Sequence, residues 1–130
     1  MSERNFGVIP DRLAWDLPLT ALTVESGPFQ LFSAGAADAA SKPRALARSE
    51  SLGLYLRRFP EGGGENGLHS HDQDAIWFVV EGGADFFEEG GTPIASLGPD
   101  QGLLVPRLIP YGFVCTETSL LLRFAGAPGA

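Results

Sequence analysis

GGENGLHSHDQDAIWFVVEG, residues 63–82, is the stretch on which the reading of this chain turns. It holds the only two histidines of the 130 residues, His69 and His71, between a glycine-rich corner and the apolar run Ala75–Glu81. On a strand, residues two apart share a side, with β-carbons about 6–7 Å apart. Two imidazoles so placed can converge on one ion at about 2.0–2.2 Å. The same pair also suits a solvated strand end, because a metal needs further ligands. Gln73, Ala75, Trp77 and Val79 continue on the histidine side, and Gln73 alone among them offers an oxygen, a neutral one. Asp72 and Asp74 point the other way.

Short apolar runs broken by 17 glycines and 10 prolines extend in both directions from this stretch. Such runs read as an all-β sandwich or barrel. Candidate strands are Phe29–Ser33, Ser51–Phe59, Ala75–Glu81, Ala84–Glu88, Thr92–Leu97, Gly102–Pro106 and Leu120–Phe124. Glu89-Gly90-Gly91 reads as a hairpin turn. Ala34–Arg48, Ala-rich and holding Pro43, reads as a surface connection.

A 13.8 kDa chain with 44% hydrophobic and 19% charged residues has the make-up of one folded domain. Its formal net charge of −7 opposes nucleic acid and anionic lipid, so neither is an expected partner. A single cysteine, Cys115, excludes an intrachain disulfide. The N-terminal stretch MSERNFGVIPDRLAWDL lacks a signal peptide's apolar run, and no apolar segment approaches membrane length. A cytoplasmic location is the expectation.

The pattern Gly63-x5-His69-x-His71, then an apolar strand, then Glu81-Gly82, resembles the first motif of the cupin superfamily. That motif places a glutamate four residues after the second histidine and a glycine seven residues later. Gly63, His69, His71 and Gly82 match, while the glutamate position falls on Ala75. The second motif, aligned on Pro106, puts Asp100 and Leu108 at its two glycines and Tyr111 at its histidine. The resemblance covers about Leu52–Phe124. It implies an all-β, cupin-type double-stranded β-helix (jelly-roll) barrel over residues 50–125, an N-terminal extension over 1–49 and a flexible tail over 126–130. It also implies a divalent or ferric ion (Fe, Ni, Mn or Zn) on His69 and His71, with Tyr111 and Gln73 as further candidate ligands. A phenol binds such an ion only when a strong Lewis acid lowers its pKa from about 10. Otherwise Tyr111 reads as an aromatic closing the barrel mouth. Family members usually pair through sheet edges, so a homodimer is expected, and the apolar segment Phe6–Leu22 is expected to pack on the barrel or on the partner.

Strand parity selects the remaining candidates. Trp77 follows the histidines inward, Phe113 and Cys115 follow Tyr111, and Arg57 shares a face with Tyr55. These five residues are expected to line a pocket. Arg57 is suited to a ligand carboxylate, although a strand-end arginine in water has the same sequence signature. Cys115 reads as buried and inert. Together these residues describe a small barrel protein that binds a small organic ligand over a weak or incomplete metal site. A metal-dependent oxygenase, isomerase or lyase acting on a small organic acid or phenol is the alternative. A structural dimer domain without a ligand is a third reading.

Overall fold

The computed structural model describes residues 8–9, 22–23, 29–32 and 44–126. The expected extension falls largely outside these residues, as do Ser33 of the first candidate strand and the tail beyond residue 126. The described chain is nearly all β. Its strands are β1 (Val8–Ile9), β2 (Leu22–Thr23), β3 (Gln30–Leu31), β4 (Arg44–Arg48), β5 (Leu52–Phe59), β6 (Ser70–His71), β7 (Ala75–Glu81), β8 (Ala84–Glu88), β9 (Pro93–Leu97), β10 (Gly102–Val105), β11 (Tyr111–Cys115) and β12 (Ser119–Gly126). A 3-10 turn at Glu89–Gly91 joins β8 to β9, where the glycine pair predicts a hairpin. None of the described helical residues forms a segment long and apolar enough to cross a membrane.

Two antiparallel sheets form the barrel. One has the order β10-β7-β12-β5-β4 and the other β11-β8-β9. Alternation along the strands decides which residues face inward. From the five-stranded sheet, Trp77 and Val79 on β7, Leu121 on β12 and Phe59 on β5 enter one buried cluster. From the facing sheet, Phe86, Tyr111, Phe113 and Cys115 join them. Trp77, Val79, Phe113 and Leu121 are fully buried. Burial of each such side chain contributes about 1.5–3 kcal/mol. Leu54, Leu56, Leu120 and Leu122 point the opposite way and, with Leu46, make a second cluster on the outer face. The five-stranded sheet is therefore apolar on both faces.

Two strands of the barrel sheets depart from the sequence reading. Arg44–Arg48, read as part of a surface connection, pairs antiparallel with β5 and buries Ala45 and Leu46. Alanine and arginine carry little strand preference, so here the pairing and burial decide the conformation. Tyr111–Cys115, absent from the candidate strands, pairs with β8 in register Tyr111↔Glu88 through Cys115↔Ala84.

Candidate metal centre

The histidines stand where two parts of the barrel are tied together. The His69 and Tyr111 backbones exchange two hydrogen bonds, of 3.1 and 2.9 Å. The His71 carbonyl accepts from the Leu108 amide at 2.8 Å, and the backbone of β6 pairs with that of β1. Asp100 and Leu108, which occupy the glycine positions of the second motif, both adopt the left-handed backbone, with φ of 69° and 63°. The backbone thus keeps the glycine-type turns although the residues have changed, and the turn at Leu108 aims its amide at His71. Gly82, which closes the first motif, has φ 88°, and a β-carbon there would lie 2.6 Å from the Thr118 carbonyl.

The glycine-rich corner is stapled along β11. Cys115 donates to the Gly63 carbonyl at 2.8 Å and Phe113 to the Glu65 carbonyl at 2.9 Å. The Gly62 amide donates back to Cys115 at 2.8 Å. Gly64, with φ 129°, fits between these bonds because a β-carbon would meet the Phe113 carbonyl at 2.5 Å. This stapling carries Glu65 onto the histidines. Glu65 Oε1 lies 2.7 Å from His69 Nε2, 3.7 Å from His71 Nε2 and 3.3 Å from the Tyr111 hydroxyl, which donates to it. Its other oxygen, Oε2, accepts from Arg57 Nη1 at 3.3 Å. Ala75 occupies the motif's glutamate position, and a carboxylate reaches the histidines from the preceding loop instead.

The donor set fits an ion. One ligand atom from each of Glu65, His69 and His71 lies within 4.8 Å of the others. Bonds of 2.0–2.2 Å place neighbouring ligand atoms roughly 3–3.6 Å apart, so little adjustment is needed. His69 Nδ1 lies 2.8 Å from the Gly67 carbonyl. A carbonyl only accepts, so Nδ1 carries a proton and Nε2 is the ligating nitrogen, the usual outer support of a metal-binding imidazole. Both histidines are 7% exposed, so an ion here is shielded from bulk water.

Electrostatics in the metal-free state follow from the same contacts. Burial alone raises the Glu65 pKa, but hydrogen bonds and charge from His69 and His71 outweigh it and hold the carboxyl well below the usual range. Burial pushes His69 down, yet the Glu65 hydrogen bond and the Gly67 carbonyl leave its pKa raised overall. Burial and the Glu65 charge push the Tyr111 phenol well above its ordinary value. Burial likewise raises the Cys115 thiol.

The structure brings Tyr111, Trp77 and Arg57 to the histidines. The Trp77 indole donates to the Tyr111 hydroxyl at 2.9 Å, which extends the chain of contacts to Glu65. Phe113 packs edge-on against Trp77, with ring centres 4.9 Å apart, and Cys115 shares their cluster. Tyr55 belongs to a neighbouring buried group with Ala45, Ala75 and Ala125. The Gln73 amide oxygen lies beside Gly126, 3.1 Å from where a β-carbon would stand. Two charged residues escaped the sequence reading. Glu65 lies in a loop, where no periodicity reports direction. Arg123 sits on the inward parity of β12 at 4% exposure, its guanidinium carbon 5.9 Å from the Trp77 ring centre.

No protein-family model matches the sequence, and no curated protein does. Solved structures match well in three dimensions. A cupin superfamily protein from Desulfitobacterium hafniense aligns with TM-score 0.63 at 20% identity, covering 80% of this chain and 94% of that one. KdgF from a Halomonas species gives TM-score 0.59 at 24% identity, covering 65% and 77%. The DMSP lyase DddQ from Ruegeria pomeroyi gives 0.57 at 25% identity over 66% of this chain but only 46% of its own.

Proposed function

The chain has the cupin fold, and on that premise we propose that it binds one divalent ion through His69, His71 and Glu65 and presents it to a small organic ligand. One observation carries this reading: a single Glu65 oxygen faces the Nε2 atoms of both histidines, at 2.7 and 3.7 Å. It supplies the negative charge that Ala75 withholds at the motif position. Two imidazoles and one carboxylate suit Fe(II) or Zn(II), with Mn(II) and Ni(II) as weaker fits.

A bound ion supplies Lewis acidity at its open positions. The protein's own groups define the rest of the site. Gly67 fixes the His69 tautomer, while Tyr111 and Arg57 hold the two oxygens of Glu65 in one orientation. Trp77 and Phe113 form a dry floor beneath them. The expected homodimer and cytoplasmic setting belong to the same proposal. Fold alone does not choose among oxygenase, isomerase and lyase chemistry, because barrels of one kind host many reactions.

The test is metal content, by mass spectrometry, of protein purified without an affinity tag and reconstituted with each of the four ions. Close to one ion per chain is expected, and it should vanish both in the His69→Ala, His71→Ala double variant and in Glu65→Ala. Full occupancy in Glu65→Ala would remove the carboxylate from the ligand set. An empty wild-type protein would end the metal reading.

A further inference from the structure

Arg57 stands on β5 with its guanidinium carbon 4.9 Å from the centre of the Phe59 ring and Nη1 on Glu65 Oε2. Among the described residues, no other ion pair or hydrogen bond reaches this guanidinium. A guanidinium carries five N–H donors in a planar fork, so as far as the described residues go most of its donors are left for a second acceptor. Side-chain exposure rises from 8% at His71 and 9% at His69, through 15% at Glu65, to 27% at Arg57. Arg57 is thus the outermost charged group of the centre, and the imidazoles lie behind it.

Charge points the same way. Arg123 lies inside the barrel, 4% exposed, with its guanidinium carbon 5.9 Å from the centre of the Trp77 ring. Arg57 in turn sets a cation on the one carboxylate of the cluster, in a chain whose formal net charge is −7. Such a protein repels anions at long range, and Arg57 places a cation at the outer edge of this centre. Glu65 also gives the scale. Its two oxygens reach the imidazole nitrogens and Arg57 at once, so a ligand beside it meets the same partners with two oxygens one or two carbons apart.

We propose that Arg57 binds the carboxylate of a short 2-hydroxy or 2-oxo acid whose neighbouring oxygen faces the ion position. The second oxygen's role rests on the metal reading above, whereas the carboxylate contact with Arg57 stands without it.

Isothermal titration of the full-length protein, metal-free and Zn(II)-reconstituted, tests this with glycolate and pyruvate against their neutral amides. Wild type should prefer each acid by about ten-fold or more, the worth of a charge-assisted forked pair. Arg57→Gln should erase the preference. Arg57→Lys, which keeps the charge but loses the fork, should retain part of it, and that graded result separates recognition from a folding defect. Equal binding of acid and amide by wild type, or a preference that survives Arg57→Gln, overturns the proposal. An acid preference in protein that takes up no ion overturns the metal reading and leaves this one standing. Ion uptake without acid preference does the reverse.

Discussion

Glu65→Gln removes the charge of the loop carboxylate while keeping its size and one carbonyl oxygen. In the metal-free protein Glu65 Oε1 lies 2.7 Å from His69 Nε2, and Oε2 lies 3.3 Å from Arg57 Nη1. The amide oxygen can still accept from Tyr111, but the amide NH2 cannot accept from Arg57 Nη1, so the charge and the Arg57 contact are lost together. A hydrogen bond to a charged group contributes about 1.5–3 kcal/mol. The Arg57 pair, on a side chain 27% exposed, adds no more than about 1 kcal/mol after solvent screening. The variant should therefore be less stable by about 2–3 kcal/mol at pH 5.5. The dependence on pH has a definite sign. The Glu65 pKa is depressed on folding, so its contribution is present above the unfolded value of about 4.3 and lost as pH falls through the depressed one. The His69 pKa is raised on folding, so its contribution is complete below about 6.5 and lost as pH rises through the raised value. The gap between the two proteins should be widest between about pH 4.5 and 6.5 and should narrow above that. Urea unfolding followed by circular dichroism, with a chelator present, at pH 5.5, 7.0 and 8.5 measures it. No gap at pH 5.5, or the same gap at 5.5 and 8.5, would refute the Glu65–His69 pairing.

Two further outcomes follow from the site. Metal uptake must displace the proton that His69 Nε2 shares with Glu65, so apparent Zn(II) affinity should fall by about ten-fold per pH unit below the raised His69 pKa. Competition titrations at pH 5.5, 6.5 and 7.5 would show this, and a flat profile would count against His69 as a ligand. Leu108 holds φ 63° with a side chain 49% exposed, a conformation that is strained for a branched residue by about 1–2 kcal/mol. Leu108→Gly relieves that strain at a smaller entropic cost and should raise the urea midpoint by a stability equivalent of about 0.5–1 kcal/mol. A lower midpoint would mean that the Leu108 side chain packs more usefully than its exposure indicates.

Most of the barrel was legible because β5, β7, β8, β9, β10 and β12 are short apolar runs between glycine and proline breaks. The two barrel-sheet strands that were not legible lack that signature. Arg44–Arg48 is built of residues with little strand preference, and Tyr111–Cys115 carries Gly112 and follows Pro106 and Pro110. Trp77, Phe113 and Cys115, which period-two parity turns inward, are buried in the barrel core. Parity failed for Glu65, whose position depends on hydrogen bonds to a strand nearly fifty residues later in the chain. Local pattern carries no record of such a pairing. It also passed over Arg123, where an arginine inside Ser119–Gly126 reads as a surface residue until the sheet is assembled. The second motif was visible mainly through Pro106. Its two turns survive in the backbone of Asp100 and Leu108, which the residue names do not reveal.

The staple between the glycine corner and β11 bears on how this centre can change over evolutionary time. A carboxylate borne on a strand is locked by the pleat, because shifting it by one residue turns it to the opposite face. Glu65 is borne on a loop, and its reach is set by the hydrogen bonds that tie the Gly63 and Glu65 carbonyls to β11. One residue added or removed between Gly63 and Glu65 would break these bonds, so the acidic group moves only if the staple gives way. The carboxylate of this centre is therefore held as firmly by the register of the corner on β11 as a strand-borne one is by the pleat.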